Sequence, residues 1–446
     1  MVKLVILGGG GFRVPLVYRA LSTGPYAGLV DELVLQDTDG SRLQAIARVL
    51  GDLPLPDGAQ PPRFTLTVNL QDALAGADVV FCAIRPGGTA GRTVDERVAA
   101  RLNILGQETT GAGGIAYALR SIPAVLEIGR QMQVHCPDAW LINFTNPAGM
   151  VTEALHKILG RKVIGICDSP VALVRRASQA VGVPLREGRL TGVDYVGLNH
   201  LGWLRALNYD GEDRLPKLLS DERALASFEE GRVFGAPMLR VLGTVPNEYL
   251  FYYYFRREAT LAMAGAARTR GESIHDQQQD LYAKLHSSPT PFQDWDAVRR
   301  SREEGYLAEA RPEGGSRDEC DVAGGGYERV ALQTMRGLLS GERTELILNV
   351  RNGSTLPQLP EDAVIEVPSE VTAEGARPLP VRQPLTLHQA GLMAQLKAVE
   401  QETIKAAHGD RDAALRAFMI HPLILSGHVA HRLLEAYEQA HGYKWA

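Results

Sequence analysis

The sequence predicts an α/β protein, with an N-terminal doubly wound parallel sheet and a C-terminal α+β domain. Three observations carry that expectation. Through roughly the first 170 residues, short β-rich runs alternate with helical stretches, the pattern of a parallel sheet covered on both faces. The first apolar run ends in four consecutive glycines, Gly8-Gly9-Gly10-Gly11, and a helical stretch follows, as in Rossmann-type domains. Past Thr191 the alternation stops, and paired strands lead into a long helical region.

Each element follows from apolar spacing and from its punctuation. Residues 2–7, 32–36, 64–68, 78–84, 140–143 and 162–166 are apolar or β-branched runs with polar or glycine-rich borders, and read as strands. Residues 14–21, 40–50 and 115–134 read as helices between them, Pro15 being tolerated in a first turn. Residues 195–198 and 203–209 read as antiparallel neighbours. Residues 221–285 read as mostly helical, and 287–296, with Pro289 and Pro291, as loop. Residues 311–321, rich in glycine and charge, form a second weak spot. Strand character returns at 344–350 and 364–367, and 387–439 reads as two or three helices. The expected division is a Rossmann-like NAD-binding domain over 1–195 and an α+β domain for catalysis, substrate and oligomerisation over 196–446. No repeat or low-complexity tract separates them.

Composition narrows the class of partner. The 446 residues are enough for a large core, and 45% hydrophobic with 22% charged residues is ordinary for a globular protein. A net charge of −5 gives no electrostatic case for nucleic acid or an anionic membrane. No apolar run reaches the roughly 18 residues that a membrane span needs. The chain enters its first strand without a signal-peptide layout, and Cys82, Cys136, Cys167 and Cys320 lack pairing spacing. A reducing cytoplasm is the expected setting.

The candidate chemistry lies at the ends of the predicted strands. Glycines let a backbone approach a pyrophosphate, and the helix behind them offers its positive end. Gly8, Gly9, Gly10 and Gly11, with Phe12 and Arg13, are therefore candidate cofactor contacts, although Arg13 stands where the usual fingerprint has its third glycine. Asp37 ends the second strand, where a carboxylate accepts ribose hydroxyls and favours NAD over NADP. Cys167 and His200 each follow a strand-like run. A thiolate and an imidazole with open positions suit Mn, Fe, Co or Ni better than a closed zinc set, though either residue alone is more often plain core. Asp168, beside the cysteine, can deliver a proton to whatever a metal holds. In Asn143-Phe144-Thr145-Asn146-Pro147, the side chains of Asn143 and Asn146 are candidates for the cofactor's nicotinamide ribose or for sugar hydroxyls, while Asn-Pro is also a turn signal. Asn199, next to His200, is a candidate substrate contact. Arg85 closes the strand 78–84 where ligands of open α/β sheets bind, and Arg92 and Arg97 follow; arginines there grip phosphate or form surface ion pairs. Tyr249 opens an aromatic run, and a tyrosine beside a cation can act as a base.

Eight motifs then fall in one order: Gly8 to Gly11, Arg85-Pro86-Gly87-Gly88, Arg92 to Glu96, Gly106-Gln107-Glu108-Thr109-Thr110-Gly111, Asn143 to Pro147, Cys167-Asp168-Ser169-Pro170, Gly197-Leu198-Asn199-His200 and Pro246-Asn247-Glu248-Tyr249-Leu250. This order resembles the NAD- and metal-dependent family 4 glycoside hydrolases, the phospho-glucosidase branch and its 6-phospho-β-glucosidases above all. The likeness is dense to about residue 260 and thinner, through Arg268-Thr269-Arg270 and Arg351-Asn352-Gly353-Ser354, to about 370. The resemblance implies transient oxidation at sugar C3 by NAD, C2 deprotonation by Tyr249, loss of the aglycone, addition of water and return of the hydride. It implies a divalent metal, manganese first, on Cys167 and His200. It places Asp168 as the acid on the leaving oxygen, Arg85 and Arg92 near the sugar phosphate and Asn146 at the sugar. The implied substrate is a phosphorylated disaccharide or aryl glucoside, and the implied assembly a homodimer or homotetramer. Asp168 departs from the asparagine common in the β branch, and Ser169 from the methionine of the α branch. A 6-phospho-α-glucosidase, or a family 4 enzyme for an unphosphorylated sugar, is the alternative within the family. A plain NAD-dependent dehydrogenase is the alternative outside it.

Overall fold

The computed structural model describes residues 1–183, 185–306, 310 and 326–445. The alternation of the first half becomes six strands: β1 (Lys3–Leu7), β2 (Glu32–Gln36), β3 (Arg63–Thr67), β4 (Val79–Cys82), β5 (Trp140–Asn143) and β6 (Val163–Gly165). They are all parallel, in the order β3-β2-β1-β4-β5-β6. This is the doubly wound order that the sequence predicts. Helices cover both faces, so β1, β4 and β5 read as unbroken apolar runs, and Val5, Leu7, Val79, Val80 and Leu141 are wholly buried.

The second half extends the same sheet. It supplies β7 (Val193–Leu198), β8 (Leu201–Tyr209), β9 (Glu212–Asp213), β10 (Val245–Pro246), β11 (Thr344–Arg351), β12 (Val364–Thr372) and β13 (Gly375–Pro378). The order continues β6-β11-β12-β7-β8-β10 with antiparallel neighbours, while β9 adds to β8 and β13 to β12. Position 195 lies inside β7, so both halves share one sheet and one main apolar core.

The seam between the parallel and antiparallel parts is narrow. β6 meets β11 at Gly165 and Asn349, and β12 meets β7 at Glu366 and Gly197. Asn349 and Glu366 face each other across β11 and β12. Gly165 is required by this close approach: a Cβ there would strike Thr152 Oγ1 and lie 2.7 Å from Asn349 Cβ. Glu366 is fully buried and accepts hydrogen bonds from Asn349 Nδ2 (3.0 Å), Tyr195 OH (3.2 Å) and Asn199 Nδ2 (3.3 Å). Burial pushes its carboxyl up to about 7 against the pull of those three donors.

The helices follow the sequence with one correction. Residues 14–21, 40–50 and 115–134 become Val14–Ser22, Gly40–Gly51 and Gly111–His135. The region 221–285 becomes a series of short helices that ends in Arg270–Leu285, which Thr269 and Glu272 start with a capping box. The loop expected over 287–296 gives way to a helix, Pro291–Glu304. Pro291 occupies its first turn, where a missing N–H costs nothing, and Asp294 in that turn accepts from Ser288 Oγ at 2.6 Å. The weak spot at 311–321 lies outside the described residues. The C-terminal stretch forms three helices, Leu387–Ala406, Arg411–Ile420 and Gly427–His441. Among the described residues no helix is long and apolar enough to cross a membrane.

β7 and β8 bury an ion pair. Arg205 Nη2 lies 2.9 Å from Asp194 Oδ1, and the same guanidinium donates to the carbonyls of Gln383 and Pro384. Replacing Arg205 by Ala strands a buried carboxylate, so Arg205→Ala is expected to cost about 3–5 kcal/mol in urea unfolding. A loss below about 1 kcal/mol, the level of an exposed pair, would show that the pair does not hold these strands.

Candidate active site

Beyond Leu7 the chain turns through Gly8 to Gly11 into the helix Val14–Ser22. Gly8 has φ +87°, and a Cβ on it would lie 2.7 Å from the carbonyl oxygen of Ala83. Gly10 N donates to Asp37 Oδ2 at 3.0 Å, which ties the turn to the end of β2. The second half fastens the turn from outside. Tyr282 OH donates to Gly10 O (2.7 Å), Trp295 Nε1 to Phe12 O (2.7 Å) and Tyr327 OH to Arg13 O (2.6 Å). Gly8, Gly11, Phe12, Arg13 and Asp37 line a cavity of about 950 Å³. A glycine turn without room for side chains, with a carboxylate at the next strand end, fits a dinucleotide. Gly9 and Gly10 build the turn without lining the cavity.

The same cavity gathers most of the other candidates: Arg85, Arg92, Asn146, Cys167, Asp168, His200 and Tyr249. Cys167 follows β6 by two residues and is 5% exposed; His200 sits at the tip between β7 and β8 with φ +62° and is 7% exposed. His200 Nδ1 lies 3.0 Å from Thr109 Oγ1, and that hydroxyl donates to Gln107 Oε1 at 3.1 Å. The hydroxyl therefore accepts from Nδ1–H, which leaves the Nε2 lone pair for a metal. Burial pushes His200 down to about 3, so the imidazole is neutral as ligation requires. The Cys167 thiol is pushed up by burial, with Glu366 and Asp168 adding to it, so it needs a cation to ionise. Tyr249 stacks on His200 with ring centroids 3.7 Å apart, and Tyr306 OH donates to its hydroxyl at 3.2 Å. Among the described residues no three or more His, Cys, Asp or Glu side chains stand together as a metal cage. One imidazole and one thiol with open positions thus fit a catalytic divalent metal better than a structural one.

Several candidates have other partners. Arg85 Nη2 and Arg92 Nη1 both lie 2.9 Å from Glu108 Oε2, and Arg92 Nε lies 2.7 Å from Glu96 Oε1. Glu108 resists the upward push of its burial, because Arg92 and Arg85 hold its carboxyl down to about 2. Arg97 pairs instead with Glu272, at 2.5 Å. Asn143 is fully buried and spends its amide on Thr145 O, Thr152 Oγ1 and Thr145 N, so it shapes the Asn143–Pro147 turn and does not line the cavity as a cofactor contact would. Asn199 likewise does not line the cavity; its Oδ1 accepts from Ala148 N at 3.1 Å and its Nδ2 donates to Glu366. Asn146 does line it, and its Oδ1 has no hydrogen-bond partner among the described residues. Sequence reasoning missed Thr109 and Glu108 as individuals, although both stand in the Gly106–Gly111 motif. It also missed Arg302, Tyr306 and Tyr327, which line the cavity from the second half and had no motif to mark them.

The whole chain can now be set beside known proteins. The description "Family 4 glycosyl hydrolase" matches residues 3–183, and "Family 4 glycosyl hydrolase C-terminal domain" matches 195–424. The chain belongs to glycosyl hydrolase family 4. A 6-phospho-beta-glucosidase of Escherichia coli is 27% identical over 457 residues, which cover 100% of this chain and 96% of that protein. The structure of the 6-phospho-beta glucosidase from Thermotoga maritima with manganese, NAD+ and glucose-6-phosphate has a TM-score of 0.81 at 25% identity, covering 100% of both chains. That of a 6-phospho-alpha-glucosidase from gut microorganisms with NAD and glucose-6-phosphate also scores 0.81, at 26% identity over 100% of this chain and 99% of that one. This family 4 hydrolase is thus similar from end to end to members named for either anomer.

The Glu108 bridge gives the family 4 hydrolase an acid-sensitive joint. A carboxyl lowered from 4.5 to about 2 adds stability that is complete above the higher value and is lost as pH falls toward the lower. The Glu108→Gln variant is expected to show a flatter dependence of unfolding free energy on pH across that window. Superimposable acid limbs for variant and parent would remove Glu108 as the charge that holds the two arginines.

Proposed function

We propose that this chain hydrolyses 6-phospho-β-glucosides by redox-assisted elimination and addition, with NAD and a divalent metal, manganese first, as resident cofactors. One observation carries the reading: Cys167, His200, Asp168 and Tyr249 line the cavity that the glycine turn also lines. When bound, NAD supplies reversible hydride transfer at sugar C3, and the metal on Cys167 and His200 supplies Lewis-acid stabilisation of the charge left when C2 loses its proton.

Tyr249 is the base at C2. Its phenol is pushed up by burial, with Cys167 and Glu248 adding to it, so it becomes a base only beside a cation. Stacking on His200 puts it next to the proposed ligand, and the Tyr306 hydroxyl steadies the phenolate. Asp168 stands at the N-cap of the helix Ser169–Ala180 without spending its carboxyl on the cap. It protonates the leaving oxygen and then takes a proton from the water that adds at C1. Arg85 and Arg92, with their shared Glu108, attend the sugar phosphate, and Asn146 attends the sugar. The Asp168 carboxyl, not spent on the helix cap, also favours a second reading, a 6-phospho-α-glucosidase.

The proposal includes a phosphorylated disaccharide or aryl glucoside as substrate, a homodimer or homotetramer, and a cytoplasmic setting. Free, buried thiols at Cys82, Cys136 and Cys167 support that setting. It assigns nucleotide binding to 1–195 and substrate binding and oligomerisation to 196–446.

The test is a set of α- and β-linked nitrophenyl glucosides, each with and without a 6-phosphate, assayed with NAD and Mn²⁺. Fastest release from the phosphorylated β-substrate is expected; preference for the α-substrate selects the second reading, and net accumulation of NADH rejects both. Cys167→Ser is expected to abolish metal-dependent turnover while NAD affinity in calorimetry stays near the parent value. Full activity of that variant in a chelator would end the metal assignment. Tyr249→Phe is expected to lower kcat by about 10²–10⁴ and to abolish solvent-deuterium exchange at C2. Exchange at the parental rate would remove Tyr249 as the base.

A further inference from the structure

One arginine of the cavity lacks what its neighbours have. Arg302 lies in the last turn of the helix Pro291–Glu304 and lines the cavity beside the glycine turn. Its guanidinium carbon stands 4.2 Å from the centroid of the Phe12 ring, the residue that follows Gly11. Its Nη1 is buried and makes no hydrogen bond among the described residues.

The cations around it are committed elsewhere. Arg13 pairs with Glu303 at 2.9 Å, and Arg92 with Glu96 and Glu108. Arg270 donates to the carbonyls of Gly305 and Arg302. Among the described residues no carboxylate forms an ion pair with Arg302. Burial first, and then the like charges of Arg13, Arg92 and Arg270, push its guanidinium down to about 9, the direction expected of a cation short of an anion.

A buried guanidinium with an idle N–H is costly unless a ligand completes it. The ligand must be an anion whose oxygens match a planar fork, and phosphate is the oxyanion that a glycine turn accepts. The Phe12 ring lies against the guanidinium in a cation–π contact, and both residues line the cavity. We propose that Arg302 is a phosphate ligand of this cavity, reaching across Phe12 to an oxyanion seated against the glycine turn. The assignment rests on the preceding functional reading only for the source of the phosphate, either the pyrophosphate of NAD or the 6-phosphate of the sugar.

The test is calorimetric titration of the full-length protein and of its Arg302→Met and Arg302→Lys variants. The probes are inorganic pyrophosphate, NAD and, with NAD and Mn²⁺ present, glucose 6-phosphate against glucose. Loss of a charge-assisted fork predicts about tenfold or greater weakening of pyrophosphate in Arg302→Met, and partial recovery in Arg302→Lys, with glucose unchanged. Weakening confined to NAD among the natural ligands identifies the dinucleotide as the source; weakening confined to glucose 6-phosphate identifies the sugar. If Arg302→Met fails to fold, Arg302→Lys carries the test, since it keeps the charge and stem but not the fork and is expected to lose about threefold or more. Binding of every phosphate probe within about twofold of the parent, or no pyrophosphate binding by the parent, overturns the assignment. Arginine-dependent pyrophosphate binding without turnover of any aryl glucoside would instead overturn the glycosidase reading and leave Arg302 in place.

Discussion

The buried carboxyl of Glu366 is the point on which the site depends. It joins Asn349 on β11, Tyr195 on β7 and Asn199 beside His200, and Asn199 in turn holds the backbone of Ala148, where the chain leaves the Asn143–Pro147 turn. Burying a carboxyl is costly, and three donors offset that cost only if all stay in place. The same residue sits in a register row that crosses the sheet: Thr67, Gln36, Leu7, Cys82, Asn143, Gly165, Asn349, Glu366 and Gly197. Gly8, Asp37, Phe144 and Ile166 each come directly after a member of that row. The site is therefore level because the sheet is in register, and the sheet is in register across its seam because Glu366 has partners on both sides.

The charges follow a second rule. Burial pushes Cys167 and Tyr249 up and His200 down, so the protein keeps all three groups neutral by itself. A divalent cation between them would reverse two of these preferences at once, turning thiol to thiolate and phenol toward phenolate. The arginines obey the opposite logic. Arg13, Arg85 and Arg92 arrive with carboxylates, while Arg302 is held by a ring and its own burial.

Much of this was legible in the chain. β2 and β5 lie where apolar runs between polar borders put them, because a strand buried on both faces leaves little choice of residue. Cys167, His200, Tyr249 and the glycine run stood out in the chain because their neighbours form motifs, and the fold brings them to one cavity. The helix at Pro291 did not stand out, since two nearby prolines signal a loop equally well until the first turn is built. Asn143 and Asn199 spend their amides inside the protein, which their motifs did not show, because an amide suited to a sugar hydroxyl is equally suited to a partner within the fold. Arg302 was invisible because no motif surrounds it, and its place in the cavity comes from the fold.

The three carbonyls of the glycine turn are satisfied by Tyr282, Trp295 and Tyr327. All three emerge from the ribosome long after the parallel strands that carry the turn. A nascent chain of 200 residues holds all the parallel strands, yet its Gly10, Phe12 and Arg13 carbonyls would still lack these three donors. The turn is thus completed only when the second half of the chain has folded against it.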